Sequence, residues 1–239
     1  MTAAEGSEPT SAELLWGLDE RPARAPRLVL TVHRIADAAI AVADADGMAA
    51  VSMQRVAASL DVTKMALYRH VANKAELTAV MIETAVGDAP DLTRIAGGWR
   101  PRIERWAEAM RETWRRHPWL PTATTGERAL GPREIGWTES ALGAFVGTPL
   151  SGAERIDAVF LVSGHIRNTQ AAMTSGTQPW TADRRARPAI GDLLRGRADR
   201  FHHILEAVDD LRDAPPDNGW SFGLDRILSG LDQLIEQRS

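Results

Sequence analysis

The chain has two lysines, Lys64 and Lys74, and both lie in SMQRVAASLDVTKMALYRHVANK, residues 52–74; every other basic residue is arginine. An ammonium group is a compact donor suited to a phosphate oxygen or the acceptor edge of guanine. Gln54, Thr63, Met65, Ala66, Tyr68, Arg69 and His70 surround Lys64 in the same stretch. The chemistry such a set offers is recognition of a polyanion such as DNA, with no bond made or broken. Lys64 is the candidate for a guanine edge, Met65 and Ala66 for a thymine methyl, and Gln54 for a base or a phosphate. Tyr68, Arg69, His70 and Lys74 suit the sugar–phosphate backbone.

Two short helices joined by a tight turn must position these groups. Ser52 is placed to cap the first, whose inward residues are Val56, Ala57 and Leu60. Asp61-Val62 makes the turn. Thr63 caps the second, with Leu67 and Val71 inward and the recognition residues outward. Asn73 opens a further helix, and Glu76 stands three residues on, where a reciprocal cap requires it. The pattern is a helix-turn-helix whose second helix enters the major groove.

Residues 30–85, and the run ALYRHVANKAEL above all, resemble the tetracycline-repressor family of bacterial regulators. That family usually has Gly in the turn where this chain has Asp61, a residue that tolerates a left-handed backbone better than most. LLWGL, residues 14–18 before an Arg-rich arm, resembles a subgroup common among actinobacterial regulators. The resemblance implies an all-α protein: a flexible arm over 1–27, a three-helix helix-turn-helix DNA-binding domain over 28–88, and a larger helical ligand-binding and dimerisation domain over 89–239. It also implies a homodimer on double-stranded operator DNA, paired through the C-terminal helices, and a small-molecule effector.

Composition bounds the alternatives. With 239 residues, 44% hydrophobic and 25% charged, the chain has ample material for a core. There is no cysteine, so disulfides and thiolate metal sites are excluded. No run approaches the ~18 apolar residues of a membrane span. The amino-terminal stretch carries Glu5, Glu8 and Glu13 and does not read as a secretory signal, so a cytoplasmic location is expected. A net charge of −4 argues against indiscriminate nucleic-acid binding, because phosphate affinity must then come from a local patch.

The remainder of the chain reads as helices. The first is expected over 31–46, capped by Thr31 and stopped by Gly47, and another over 73–87, with Leu77, Val80, Met81 and Thr84 inward. Further helices are expected at 99–116, 132–146 (Ile135, Leu142 and Phe145 inward), 151–176, 189–212 and from 220, the last with Phe222, Ile227, Leu228, Leu231, Leu234 and Ile235 on one face that a single protomer can bury only in part. Residues 1–12 read as irregular, Leu14, Leu15, Trp16 and Leu18 as a patch docked on the body, and 177–188 as a loop. The arm RPARAPR, 21–27, is either a solvated linker or a minor-groove contact.

Tryptophan is overused, 8 against 1 Tyr and 4 Phe. Trp99, Trp106, Trp114, Trp119 and Trp137 concentrate in 99–146, where relatives keep an effector cavity. Candidate ligand contacts are Trp106, Met110, Trp114, His117, Trp137, Phe145, His165 and Asn168, though Trp at helical spacing also serves as core. Gly164-His165 lies where the tetracycline repressor itself has a similar pair. The carboxylate two turns later, which helps that protein hold its metal-drug complex, is replaced here by Met173, so the resemblance implies a metal-free, more apolar or aromatic effector. Adjacent His202 and His203 face apart on a helix and make no metal site. No cofactor is implied. No G-x-S-x-G elbow, phosphate loop, Cys nucleophile or H-E-x-x-H pair occurs, so no enzymatic role is expected. The alternative to a ligand-responsive repressor is an interaction or co-regulatory protein that kept the fold and lost sequence-specific DNA binding.

Overall fold

The computed structural model describes residues 11–18, 29–175, 193–210, 217 and 219–239. All regular elements among them are helical, as expected of an all-α chain. They fall into two compact units, Met1–Leu150 and Ser151–Ser239.

In the first unit, α1 (Ser11–Trp16) packs on α5 (Lys74–Val86). Helix therefore begins at Ser11, inside the stretch expected to be irregular. Leu14, Leu15 and Leu18 are buried as a docked patch requires, while half-exposed Trp16 holds the Leu130 carbonyl through its indole N–H at 3.3 Å. The Arg-rich arm, residues 21–27, lies outside the described residues.

Helix α2 (Val32–Asp46) begins where Thr31 Oγ1 accepts the Arg34 amide at 3.2 Å, and ends at Gly47, whose φ of 80° few side-chain-bearing residues adopt. Its buried stripe, Ile35, Ala36, Ala39, Ile40 and Ala43, lies on α5 and on α3 (Met53–Ser59). A 3₁₀ turn, Met48–Ala50, joins α2 to α3.

Helix α6 (Trp99–Arg116) faces α8 (Pro132–Ala144) with Ile103, Trp106 and Ala107 buried. Trp106 donates its indole N–H to the Trp137 carbonyl at 2.9 Å, and Trp137 donates its own to the Gly87 carbonyl at 3.1 Å. Each large ring thus enters the core with its polar atom satisfied. Helix α7 (Leu120–Ala123) is a single turn seeded by Pro121 within the Thr-rich segment. Ile135, expected inward on α8, is 41% exposed. Phe145 is buried as expected and Leu142 half-buried, and the rest of the inward face is Trp137, Ala141 and Ala144, packed against α6 and α5.

In the second unit, α9 (Gly152–Ser175) opens with the expected capping box: Ser151 Oγ accepts the Glu154 amide at 3.3 Å and Glu154 Oε2 the Ser151 amide at 2.8 Å. It packs on α11 (Trp220–Glu236). Helix α10 (Ala198–Asp210) follows a turn at Gly196-Arg197, with residues 193–195 helical before it, so the helix expected over 189–212 is interrupted there. Residues 189–192, 211–212 and the loop at 177–188 lie outside the described residues, as does the Met173 side chain. On α11, Leu228 is buried and Phe222 is 74% exposed, so a single copy covers only part of this apolar face, as expected.

Candidate nucleic-acid interface

Local rules account for the reader's shape. Ser52 Oγ accepts the Arg55 amide at 3.2 Å and starts α3. Val56 and Ala57 are buried, and the Val62 amide returns to the Ala57 carbonyl at 3.0 Å, closing the turn. Asp61 takes a φ of 54°, the left-handed conformation that family members usually give to glycine. The turn therefore forms with Asp in it.

Thr63 Oγ1 accepts the Ala66 amide at 3.2 Å and starts α4 (Lys64–Tyr68). Leu67 and Val71 are fully inserted beneath it, which fixes its rotation about its axis. Gln54, Thr63, Lys64, Arg69 and Lys74 are exposed, and Ala66 and His70 half-buried. Met65 is 68% exposed and Tyr68 44%. Two large, partly apolar side chains on a five-residue helix beside a lysine make a surface matched to base edges and sugar–phosphate.

Asn73 Oδ1 accepts the Glu76 amide at 2.9 Å, and the Glu76 carboxylate reaches back to the amide of Ala72, one residue earlier than a standard capping box. Lys74 is thereby held at the first turn of α5. Arg55 pairs with Asp46 at the end of α2, a contact that ties the scaffold helix to α3.

Beyond the reader, the last turn of α5 (Thr84–Val86), Gly87, Asp88 and Pro90 line a cavity of about 430 Å³. Its other wall is Arg105, Ala109, Glu112, Thr113 and Arg116 of α6, with His117 and Trp137. Arg105 stands 3.7 Å from Glu112, and Arg116 donates to Thr113 Oγ1 at 3.2 Å. Charged and apolar groups alternate around this space, which is more polar than the Trp-rich sequence suggests.

Among the candidate ligand contacts, His117 and Trp137 are in that wall. Trp106, Trp114 and Phe145 are buried, Phe145 stacked on Trp99 with ring centroids 5.4 Å apart, and Met110 is half-buried on α6. His165 and Asn168 belong to the second unit. His165 stacks on Trp220 and bonds its carbonyl at 2.9 Å, while Asn168 is exposed on α9.

Sequence reasoning missed Asp44, on the last turn of α2. Its Oδ1 accepts the Trp119 indole N–H at 2.7 Å, and His117 Nδ1 lies 3.0 Å from both of its oxygens. The signal was available: a carboxylate near a helix C-terminus opposes the macrodipole and calls for donors from outside its own helix.

Comparison with known proteins agrees with this geometry. The profile for "Bacterial regulatory proteins, tetR family" matches residues 35–81, and that for "Tetracyclin repressor-like, C-terminal domain" matches residues 90–235. The HTH-type transcriptional repressor DrrR1 of Streptomyces coeruleorubidus is 31% identical over 99% of this chain and 90% of its own length. Among solved structures, apo ActR of Streptomyces coelicolor superposes with a TM-score of 0.73 at 22% identity, covering 91% of this chain and all of that one. ActR in complex with actinorhodin also gives 0.73, at 21% identity, over 89% of this chain and all of that one. The capped reader, its buried scaffold and the match across both parts of the chain lead to one conclusion: the chain belongs to the tetracycline-repressor family of bacterial transcriptional regulators.

Proposed function

We propose that this chain is a ligand-responsive repressor, working in the cytoplasm without enzymatic activity, which binds a palindromic operator as a homodimer and is released by a small aromatic effector. The observation that carries the reading is the presentation of α4: Leu67 and Val71 lock it inward while Lys64, Met65 and Tyr68 stand exposed on a Thr63-capped turn. Gln54, Thr63, Ala66, Arg69, His70 and Lys74 complete the proposed DNA contacts.

One such helix reads too few base pairs to be selective, and a twofold pair reads two half-sites spaced by the DNA repeat. Support for pairing comes from the second unit. Ile156, Phe160 and Leu161 on α9, and Phe222 on α11, are large apolar side chains left exposed in a single copy. A second copy laid on these helices would cover them.

The effector reading is supported by the cavity beneath α5 and by the relative solved with actinorhodin. The wall favours an aromatic molecule that also bears hydrogen-bonding groups, since Trp137, Val86 and Ala109 share it with Arg105, Glu112, Arg116 and His117. Sedimentation equilibrium with an operator duplex tests the assembly. Two protomers of 26.1 kDa per inverted repeat are expected. One protomer per duplex at saturation contradicts the homodimer.

A further inference from the structure

His117 belongs to two structures at once. It lines the cavity under α5, and its Nδ1 holds Asp44 on α2. A carboxylate only accepts, so Nδ1 carries the proton, and Nε2 is left for a second partner. Trp119, two residues on, donates to the same carboxylate from a buried position. Pro118 stands between them, and His117 also caps α6 through the Thr113 carbonyl at 3.0 Å. The α6–α7 junction is thus a stiff segment, with one face on the cavity and the other fastened to the helix that scaffolds the reader.

We propose that Asp44, His117 and Trp119 form a latch that reports occupancy of the cavity to α2, and through it to the reader. This rests on the reading of the cavity as an effector site. A molecule that recruits the His117 ring, or displaces Thr113 and Arg116 beside it, shifts the junction. The Asp44 carboxylate then loses its donors close to a helix C-terminus, where its charge is least favoured. Helix α2 packs on both α3 and α5, so its release loosens the reader as a body. The effector needs only to bind the unlatched arrangement better than the latched one.

The test replaces the unknown effector by volume. Ala109 lines the cavity on α6, and Ala109→Phe, or Ala109→Leu if Phe prevents folding, fills part of it. Amide hydrogen exchange of residues 40–47 is measured first, because it requires no DNA and so separates failure of the latch from failure of the DNA-reading proposal. Filling the cavity should raise exchange there in the wild-type background and add little to Asp44→Ala. Unchanged protection overturns the latch. Operator affinity is measured next, on DNA selected by the wild type. Asp44→Ala alone should weaken binding about tenfold, Ala109→Phe about as much, and the double variant no more than about twofold further. Asp44→Asn, which keeps an acceptor for Trp119, should restore most of the binding. Wild-type affinity in Asp44→Ala, or losses that multiply in the double variant, overturn the proposal.

Discussion

Glu83 Oε1, on α5, accepts the backbone amide of Arg133 at 2.7 Å, and its Oε2 lies 3.4 Å from the Glu134 amide, so a carboxylate of one helix caps the start of another. Helix α8 has no cap of its own, because Gly131 stands at the N-cap and Pro132 follows. Glu83 is only 2% exposed, and the amides and helix dipole compensate its buried charge. A Cβ on Gly131 would collide with the Glu83 carboxylate, so a side chain at this N-cap would have to displace it.

Glu83→Ala should therefore cost about 1–3 kcal/mol, the penalty of buried amides left unmade. Gly131→Ala should cost a similar amount, roughly 1–3 kcal/mol, from crowding. The two should combine to less than their sum, since removing the carboxylate removes the clash. Urea unfolding of the three variants checks this, and strict additivity would contradict the contact.

The proposed DNA contacts give Lys64 and Lys74 different roles. Lys64→Ala should relax preference at one base pair of each half-site, at about 1–3 kcal/mol of discrimination. Lys74→Ala should weaken all sequences alike and reduce the slope of log affinity against log salt by about one per lost phosphate contact. Titrations on matched and mismatched duplexes at several salt concentrations separate the two, and equal loss of specificity in both variants would defeat the assignment.

The turn stores a small strain at Asp61, whose φ is 54°. Asp61→Gly should raise stability by up to about 1 kcal/mol, whereas Asp61→Val should lower it by about 1–2 kcal/mol, because a branched side chain resists this conformation. Thermal melts decide it. A valine variant as stable as wild type would show that the turn is not held left-handed.

Glu154 gives the second unit an acid-sensitive tie. The Ser151 backbone N–H first, and the Arg238 guanidinium next, hold its carboxyl at about 2, down from an ordinary 4.5. A depressed folded value means stabilisation that is complete above about 4.5 and is lost as pH falls toward about 2. The difference in melting temperature between wild type and Glu154→Gln should be constant near neutrality and shrink across that window. A difference independent of pH would place the effect elsewhere.

Local signals made the reader legible. Thr31, Ser52, Thr63 and Asn73 announce helix starts by their side-chain oxygens, and Leu67 and Val71 set the face of α4 by spacing alone. Asp61 could be assigned a left-handed turn because the resemblance places it where the family usually has Gly, and Asp tolerates that conformation better than most residues. The cavity was less legible. Trp106 and Trp114 have the spacing of either core or pocket, and only tertiary packing decides that the Trp106 N–H is answered by Trp137. Arg105, Glu112 and Arg116 remain exposed, and they line the cavity only because the end of α5 and Trp137 pack beside them. Glu83 and Asp44 act across about 50 and 75 residues of sequence; the place of Asp44 near the end of α2 signals a need for donors, but no local pattern says which distant residues supply them. Phe222 illustrates the same limit, since its place in the α11 periodicity says nothing about whether a neighbour covers it.

The central claim is that α4 reads a defined operator. Selection of bound duplexes from a random pool, at about 150 mM salt where nonspecific contacts weaken, tests it most directly. Wild-type protein should enrich an inverted repeat with half-sites spaced by about one helical turn or more, and Lys64→Ala should degrade one position in each half-site. A folded protein that enriches no sequence would contradict the claim, and would leave the retained fold to serve protein contacts instead.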